Sequence, residues 1–175
     1  IHKYVFEDFI FGFIDKELET VMAKSQRSDT YLDEEKTFNL KPDLWLKTDH
    51  KSLIADTKYK IVYSDDKDPK KGISQNDLYQ MLAYAVRFKV DEIILFYPNT
   101  LSQDQEKQTE LTIKDTLAAD KEISIKAFQL PIINRDLLES ELKTKTDLAE
   151  LFESTKEALK NKLEKILVPT MYIAH

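Results

Sequence analysis

The sequence predicts an α/β fold in which a mixed sheet is flanked by helices on both faces. Three observations predict it. Residues 4–24 carry apolar side chains at helical spacing. Residues 37–47 and 52–59 carry strand patterning on either side of a short polar loop. A capped amphipathic helix over 74–89 then leads into an apolar run at 91–97. Mixed strands alternating with helices build a sheet covered on both sides. The 175 residues suit one domain, or one domain with a helical appendage, and can bury a core without staples.

In the first helix Phe6, Phe9, Ile10, Phe13, Ile14, Leu18, Val21 and Met22 recur at intervals that keep one face apolar. A polar stretch follows, with a short strand expected at 29–32. In 37–47 (TFNLKPDLWLK), Phe38, Leu40, Leu44 and Leu46 share one face. Asn39, Lys41, Asp43, Trp45 and Lys47 share the other. Residues 48–51 form the hairpin loop and 52–59 the returning strand. The stretch 64–72 (SDDKDPKKG) reads as a charged loop with Pro69 and Gly72. Ser74 caps the next helix, which turns Leu78, Met81, Leu82 and Ala85 inward. A buried strand over 91–97 is expected to end at Pro98-Asn99. Late strands are expected at 110–113 and 123–130, and 136–167 reads as a long tail rich in Lys, Glu and Leu. The core is thus expected over 1–135, with a helical extension over 136–175 packing on it or on a partner.

Composition removes several classes of function. Cysteine is absent, which excludes disulfides, thiolate zinc sites, iron–sulfur clusters and a cysteine nucleophile. Thirty-two acids against 26 bases give a net charge of −6, which excludes a generally basic nucleic-acid coat. It does not exclude a nucleic-acid enzyme whose acids hold metal. Only Arg27, Arg87 and Arg135 are arginine; lysine is a point charge poorly suited to bidentate reading of bases. With Gly12 and Gly72 alone, no glycine-rich phosphate loop is available. Mean hydropathy is −0.47, and no apolar stretch approaches the ~20 residues that span a bilayer. No membrane role and a cytoplasmic location are expected. No secretory leader is visible, and a start at Ile1 rather than Met suggests a piece of a longer chain.

Strand parity gathers the chemistry. Asp56 and Lys58 are two apart, so they point to one side of their strand. A hairpin centred on 48–51 sets Asp43 opposite Asp56. Adjacent carboxylates raise one another's pKa unless a cation neutralises them. A hard divalent ion such as magnesium does so, using one or two carboxylates with waters and phosphate, and the Thr57 carbonyl is a further donor. Lys58 beside the ion can orient a water or steady charge on a phosphorus centre. The same residues also fit an exposed face with a surface ion pair. Leu53, Ile54 and Ala55 before Asp56, and Pro42-Asp43 on the neighbouring strand, favour the first reading.

Pro42-Asp43 followed by Asp56-Thr57-Lys58 resembles the signature of the PD-(D/E)XK nuclease superfamily, with Asp in the variable acid position. Gln80 and Tyr84 on the following helix resemble the Q-x-x-x-Y element of RecB-like members; they share a helix face, with Asp77 one turn earlier. More narrowly, FEDFI…LKPDLWL…LIADTKYK…NDLYQMLAYA…LFYP resembles the nuclease domain of McrC, the cleavage subunit of McrBC-type modification-dependent restriction systems, and LlaJI-type subunits, over about residues 4–100. The resemblance implies a restriction-endonuclease-like α-β-β-β-α-β core. It implies metal binding by Asp43 and Asp56, support from Lys58, and positioning of substrate or metal shell by Gln80 and Tyr84. It implies magnesium, with manganese as a substitute, and double-stranded DNA as substrate. It also implies an AAA+ GTPase partner docked through an N-terminal domain outside this sequence, and a pair of nuclease copies for a double-strand break. Lack of cysteine separates the chain from relatives with iron–sulfur clusters.

Glu7 sits on the apolar line of the first helix, where many nucleases of this superfamily place a metal-contacting acid; a first-turn carboxylate favoured by the helix dipole is the other reading. Gln26 and Arg27 are placed to reach phosphate or to sit in a solvated loop, and Lys60 to touch the DNA backbone or simply face solvent. Trp45 is expected to cover the sheet rim, and Lys67, Lys70 and Lys71 either track phosphates or are solvated. His2, His50 and His175 are too dispersed for a metal site. Two other functions stay open on the sequence: a stand-alone RecB-like exonuclease or repair nuclease, and a catalytically silent scaffold that binds DNA or a partner.

Overall fold

The computed structural model describes residues 2–25, 30–59, 70, 72–99, 108–115, 121–132 and 145–168. Their elements are α1 (His2–Glu17), β1 (Met22–Ser25), β2 (Thr30–Tyr31), β3 (Asn39–Leu40), β4 (Leu44–Lys47), β5 (Ser52–Thr57), α2 (Gln75–Phe88), β6 (Glu92–Asn99), β7 (Gln108–Asp115), β8 (Lys121–Pro131) and α3 (Lys145–Leu167). Six strands form one mixed sheet in the order β1-β4-β5-β6-β8-β7. β1, β4 and β5 are antiparallel neighbours, β5, β6 and β8 run parallel, and β7 returns antiparallel along β8.

Alternation along the strands sorts the core into two layers. Leu44, Leu46, Leu53, Ala55, Ile94 and Phe96 pack against Phe6, Ile10 and Ile14 of α1 and Leu159, Leu163 and Leu167 of α3. Ile54, Ile93, Leu95, Ile123 and Ile125 pack against Met81, Tyr84 and Ala85 of α2. The expected α/β arrangement, a mixed sheet between helices, is therefore present. Each α3 leucine recurs every fourth residue on one line of its helix. Leu163→Ala should cost about 2–5 kcal/mol. A single cooperative urea transition shifted by that amount is the expected result; an unshifted transition would mean that α3 does not share the core.

Four local expectations need correction. The first helix ends at Glu17, and Met22–Ser25 is a strand. Val21 and Ala23 are buried while Met22 and Lys24 face solvent. Leu18 and Val21 satisfy a period of 3.6, whereas Val21 and Ala23 satisfy a period of two. Residues 37–47 are also not one strand. Asn39–Leu40 pairs with β2 in a separate two-stranded sheet, and the main sheet is entered only at Leu44. Pro42 lies between them, and proline cannot donate to a ladder. Phe38, assigned to the inner face, is 64% exposed at that small hairpin. Finally, β6 continues through Pro98 and Asn99, paired with Leu130 and Pro131. Pro98 shares its direction with Phe96, whose carbonyl accepts from Lys58 N–H (2.9 Å). Its missing N–H therefore faces the side where β5 has ended, and no ladder bond is lost.

Other expectations stand. α2 opens on Ser74, whose Oγ accepts from Asp77 N–H (3.2 Å), and closes on Lys89 in the left-handed region at φ 55°. The late strands are present and longer than expected. Residues 64–69, 71 and 136–144 lie outside the described residues. No described helix is long and apolar enough to cross a membrane.

Candidate active site

The antiparallel β4–β5 pair sets the geometry. Its register pairs Leu44 with Ala55 and Lys47 with Ser52. One step further places Asp43 opposite Asp56, as the hairpin argument expects. Thr48 N–H donates to the Lys51 carbonyl (2.9 Å), which closes the loop. Counting in twos from that bonded pair, Asp43 and Asp56 fall in a non-hydrogen-bonded pair, the kind whose side chains lie closest. Asp56 points to the α2 face, on the parity of Ile54, and Asp43, one residue before β4, bonds Thr57 at the strand end.

Burial excludes an exposed ion pair. Asp43 is 5% exposed, Asp56 2% and the Lys58 side chain 12%. Asp43 Oδ2 accepts from both the N–H and the Oγ1–H of Thr57, each at 2.7 Å. Continuing the register, Pro42 stands opposite Thr57, so the proline offers no N–H to the Thr57 carbonyl. The carboxylate thus takes over the end of the ladder. Among the described residues no hydrogen bond falls on Asp43 Oδ1.

On the neighbouring side Lys58 Nζ donates to Asp56 Oδ2 and to Gln80 Oε1, the latter at 2.9 Å. Gln80 Nε2 donates to the Tyr84 hydroxyl (2.8 Å), which donates to the Lys41 carbonyl (3.1 Å). The direction of this chain follows from its end. A carbonyl only accepts, so Tyr84 must give it the phenol proton and take one from Gln80. The amide oxygen then faces Lys58 and accepts from its Nζ. Burial, and next the Asp56 charge, push the Tyr84 phenol above its ordinary value, which keeps it a donor.

Gln80 and Tyr84 are therefore brought to Lys58 as a relay. Tyr84, expected to touch DNA, is only 1% exposed and its hydroxyl is held on both sides. Glu7 is buried on α1 beside Phe6, whose ring centroid is 6.0 Å from that of Tyr59 just past β5. The described residues gather no group of three or more His, Asp or Glu able to share one ion. Trp45 does not cover the rim: it is half-buried under α2, edge-on to Phe88 at 4.9 Å. Gln26, Arg27, Lys60, Lys67 and Lys71 lie outside the described residues, whereas Lys70 is exposed.

One role and one residue escaped the sequence reading. Thr57, read there only for its carbonyl, also acts through its amide and hydroxyl; Pro42 opposite it is the available signal. Tyr97, buried on β6, lies 3.5 Å from Asp77 Oδ2. Burial, then the charges of Asp77 and Asp56, raise its phenol. Asp77 thus adds a third buried acid near the cluster.

The class defined by this fold and geometry is an α/β protein with a buried carboxylate–lysine cluster where two strands of a mixed sheet end. Residues 3–98, which hold every member of that cluster, match the family model described as McrBC 5-methylcytosine restriction system component. The chain belongs to that family. Among solved structures it is similar to a chain of the tetradecameric assembly of Thermococcus gammatolerans McrB AAA+ hexamers with bound McrC. The likeness has a TM-score of 0.54 at 16% identity and covers 91% of this chain. This chain spans 33% of the length of that one. No curated protein matches the sequence.

Proposed function

We propose that the chain is the metal-dependent DNA endonuclease part of a McrC-like restriction subunit, with a PD-(D/E)XK, restriction-endonuclease-like core. The carrying observation is the buried Asp43–Asp56 pair with one ammonium beside it. Two buried carboxylates stand beside Lys58 in a place of low dielectric, with Asp77 buried nearby. That donor set fits a hard divalent cation.

Asp43, Asp56 and the Thr57 carbonyl would hold magnesium, or manganese in its place. When bound, the ion supplies a polarised water and offsets charge on a phosphodiester. The chain's own residues do the remainder. Thr57 fixes the rotamer of Asp43 through two bonds to one oxygen. Lys58 holds its proton on Nζ and sets a positive charge where a phosphate would gain negative charge. Gln80 and Tyr84 keep that ammonium from turning away. The assembly named for the similar structure supports an AAA+ partner, and a double-strand break calls for two copies of the site. Choice of modified target belongs to that partner, since the cluster has no base-reading groups.

Plasmid DNA with Mg²⁺ or Mn²⁺ tests the reading. Asp56→Ala and Lys58→Ala should each lower cleavage by about a thousandfold, because several kcal/mol of charge stabilisation disappear. Calorimetry with Mn²⁺ should show heat that Asp43→Asn removes. Equal cleavage by all three proteins, or Mn²⁺ heat indifferent to Asp43, would remove the assignment; no heat at all would favour a silent scaffold.

A further inference from the structure

Two side chains of α2, less than one turn apart, hold the β2–β3 hairpin. Arg87 Nε donates to the Tyr31 carbonyl on β2 (2.7 Å), and the Tyr84 hydroxyl donates to the Lys41 carbonyl just past β3 (3.1 Å). The hairpin forms a sheet of its own, and of residues 30–40 only Leu40 is buried. A lone two-stranded hairpin is marginally stable in water, so its place depends on what ties it down. Its turn, by contrast, is closed from within. The Asp33 carboxylate accepts from the N–H groups of Thr37 and Phe38, the latter at 2.8 Å, and Leu32 N–H donates to the Phe38 carbonyl at 2.8 Å. The hairpin thus moves as one piece, and it carries the Lys41 carbonyl with it.

That carbonyl fixes the direction of the chain that ends on Lys58. While it accepts from Tyr84, the phenol takes a proton from Gln80 Nε2, and Gln80 Oε1 faces Lys58 Nζ at 2.9 Å. If the carbonyl moves off, the phenol is free to donate to Gln80 instead. The amide then turns its NH₂ towards Lys58, and an ammonium only donates. Lys58 keeps Asp56 but loses its second acceptor. A basic residue in a last turn is favoured by the helix dipole; the dipole does not select a carbonyl 56 positions away in sequence. A guanidinium bond to that carbonyl is charge-assisted and so stronger than a neutral one. We propose that Arg87 is a positioning residue for the candidate active site, acting on Lys58 through the hairpin, Tyr84 and Gln80. The effect on cleavage rests on the nuclease reading; the effect on Lys58 does not.

Nitrogen-15 relaxation of the lysine ammonium groups, measured on the whole chain in EDTA, reads Lys58 without any cleavage. The Lys58 signal is the one lost in Lys58→Ala. It should be rigid in the parent, and its order parameter should fall about twofold in Arg87→Ala and in Tyr84→Phe alike. Lys51, paired with Glu92 at 2.7 Å, should not change, which separates loss of the clamp from general loosening. Arg87 is exposed, so the variant should fold; if it does not, Arg87→Met, which keeps the stem without the donor, carries the test. Plasmid cleavage by Arg87→Ala should fall about ten- to a hundredfold, in kcat rather than KM, as for a misplaced group. Arg87→Lys, which keeps a donor, should stay closer to the parent. The double variant R87A/Y84F should lose no more than the worse single variant, since both act along one chain. Unchanged order at Lys58 in Arg87→Ala, or losses that multiply in the double variant, overturns the proposal. Loss of order at Lys58 in a chain whose parent does not cleave sustains the clamp and removes the nuclease reading alone.

Discussion

Lys58→Ala should lower stability by about 3–5 kcal/mol in EDTA, the cost of removing one member of a buried ion pair. The carboxylate left behind is Asp56, 2% exposed, beside a second buried carboxylate on the facing strand. In the parent protein the Lys58 ammonium offsets part of that charge. A dication between Asp43 and Asp56 would therefore do more for the variant than for the parent. At a concentration about 100 times its Kd, a ligand adds about 2.7 kcal/mol. Urea melts of Lys58→Ala with and without Mg²⁺ or Mn²⁺ should differ by that order, and the same comparison on the parent should differ less. Identical melts for the variant under both conditions would mean that the pair holds no cation.

Asp43 separates architecture from chemistry. Asp43→Ala strips the acceptor from the Thr57 N–H and hydroxyl, both fully buried. Each orphaned group costs about 1–3 kcal/mol, so a loss of about 2–5 kcal/mol is expected. Asp43→Asn keeps an oxygen in the same place and should fold within about 1 kcal/mol of the parent. It removes the charge, however, and cleavage should fall as far as in the alanine variant. Melting curves and plasmid cleavage on the two variants give the answer together. An asparagine variant that cleaves normally would reduce Asp43 to a strand-end cap.

The acidic pair was legible because a strand has period two and a short hairpin fixes its own register. Asp43, Asp56 and Lys58 need nothing beyond parity and the loop at 48–51. The start of α2 was legible for a similar local reason: Ser74 acts on its own backbone. What stayed hidden depends on longer reach. Val21 fits both a helical line with Leu18 and an alternation with Ala23, and only pairing with β4 makes Met22–Ser25 a strand. Pro98 reads as a terminator until β5 is seen to stop beside it. Tyr84 looks like a contact residue on an isolated helix; the Lys41 carbonyl, 43 positions away in sequence, turns it inward.

The shared core of α1 and α3 bears on how the chain is made. Ile10 and Leu159 meet in one apolar layer, yet a ribosome adding about 5–20 residues per second separates their appearance by about 8–30 s. Through that interval the leading helix and the inner faces of β4 and β5 lack their final cover. Phe6, Ile10 and Ile14 are then an adhesive stripe open to holdase chaperones or to neighbouring nascent chains, and slowing translation ahead of α3 should lengthen that exposure.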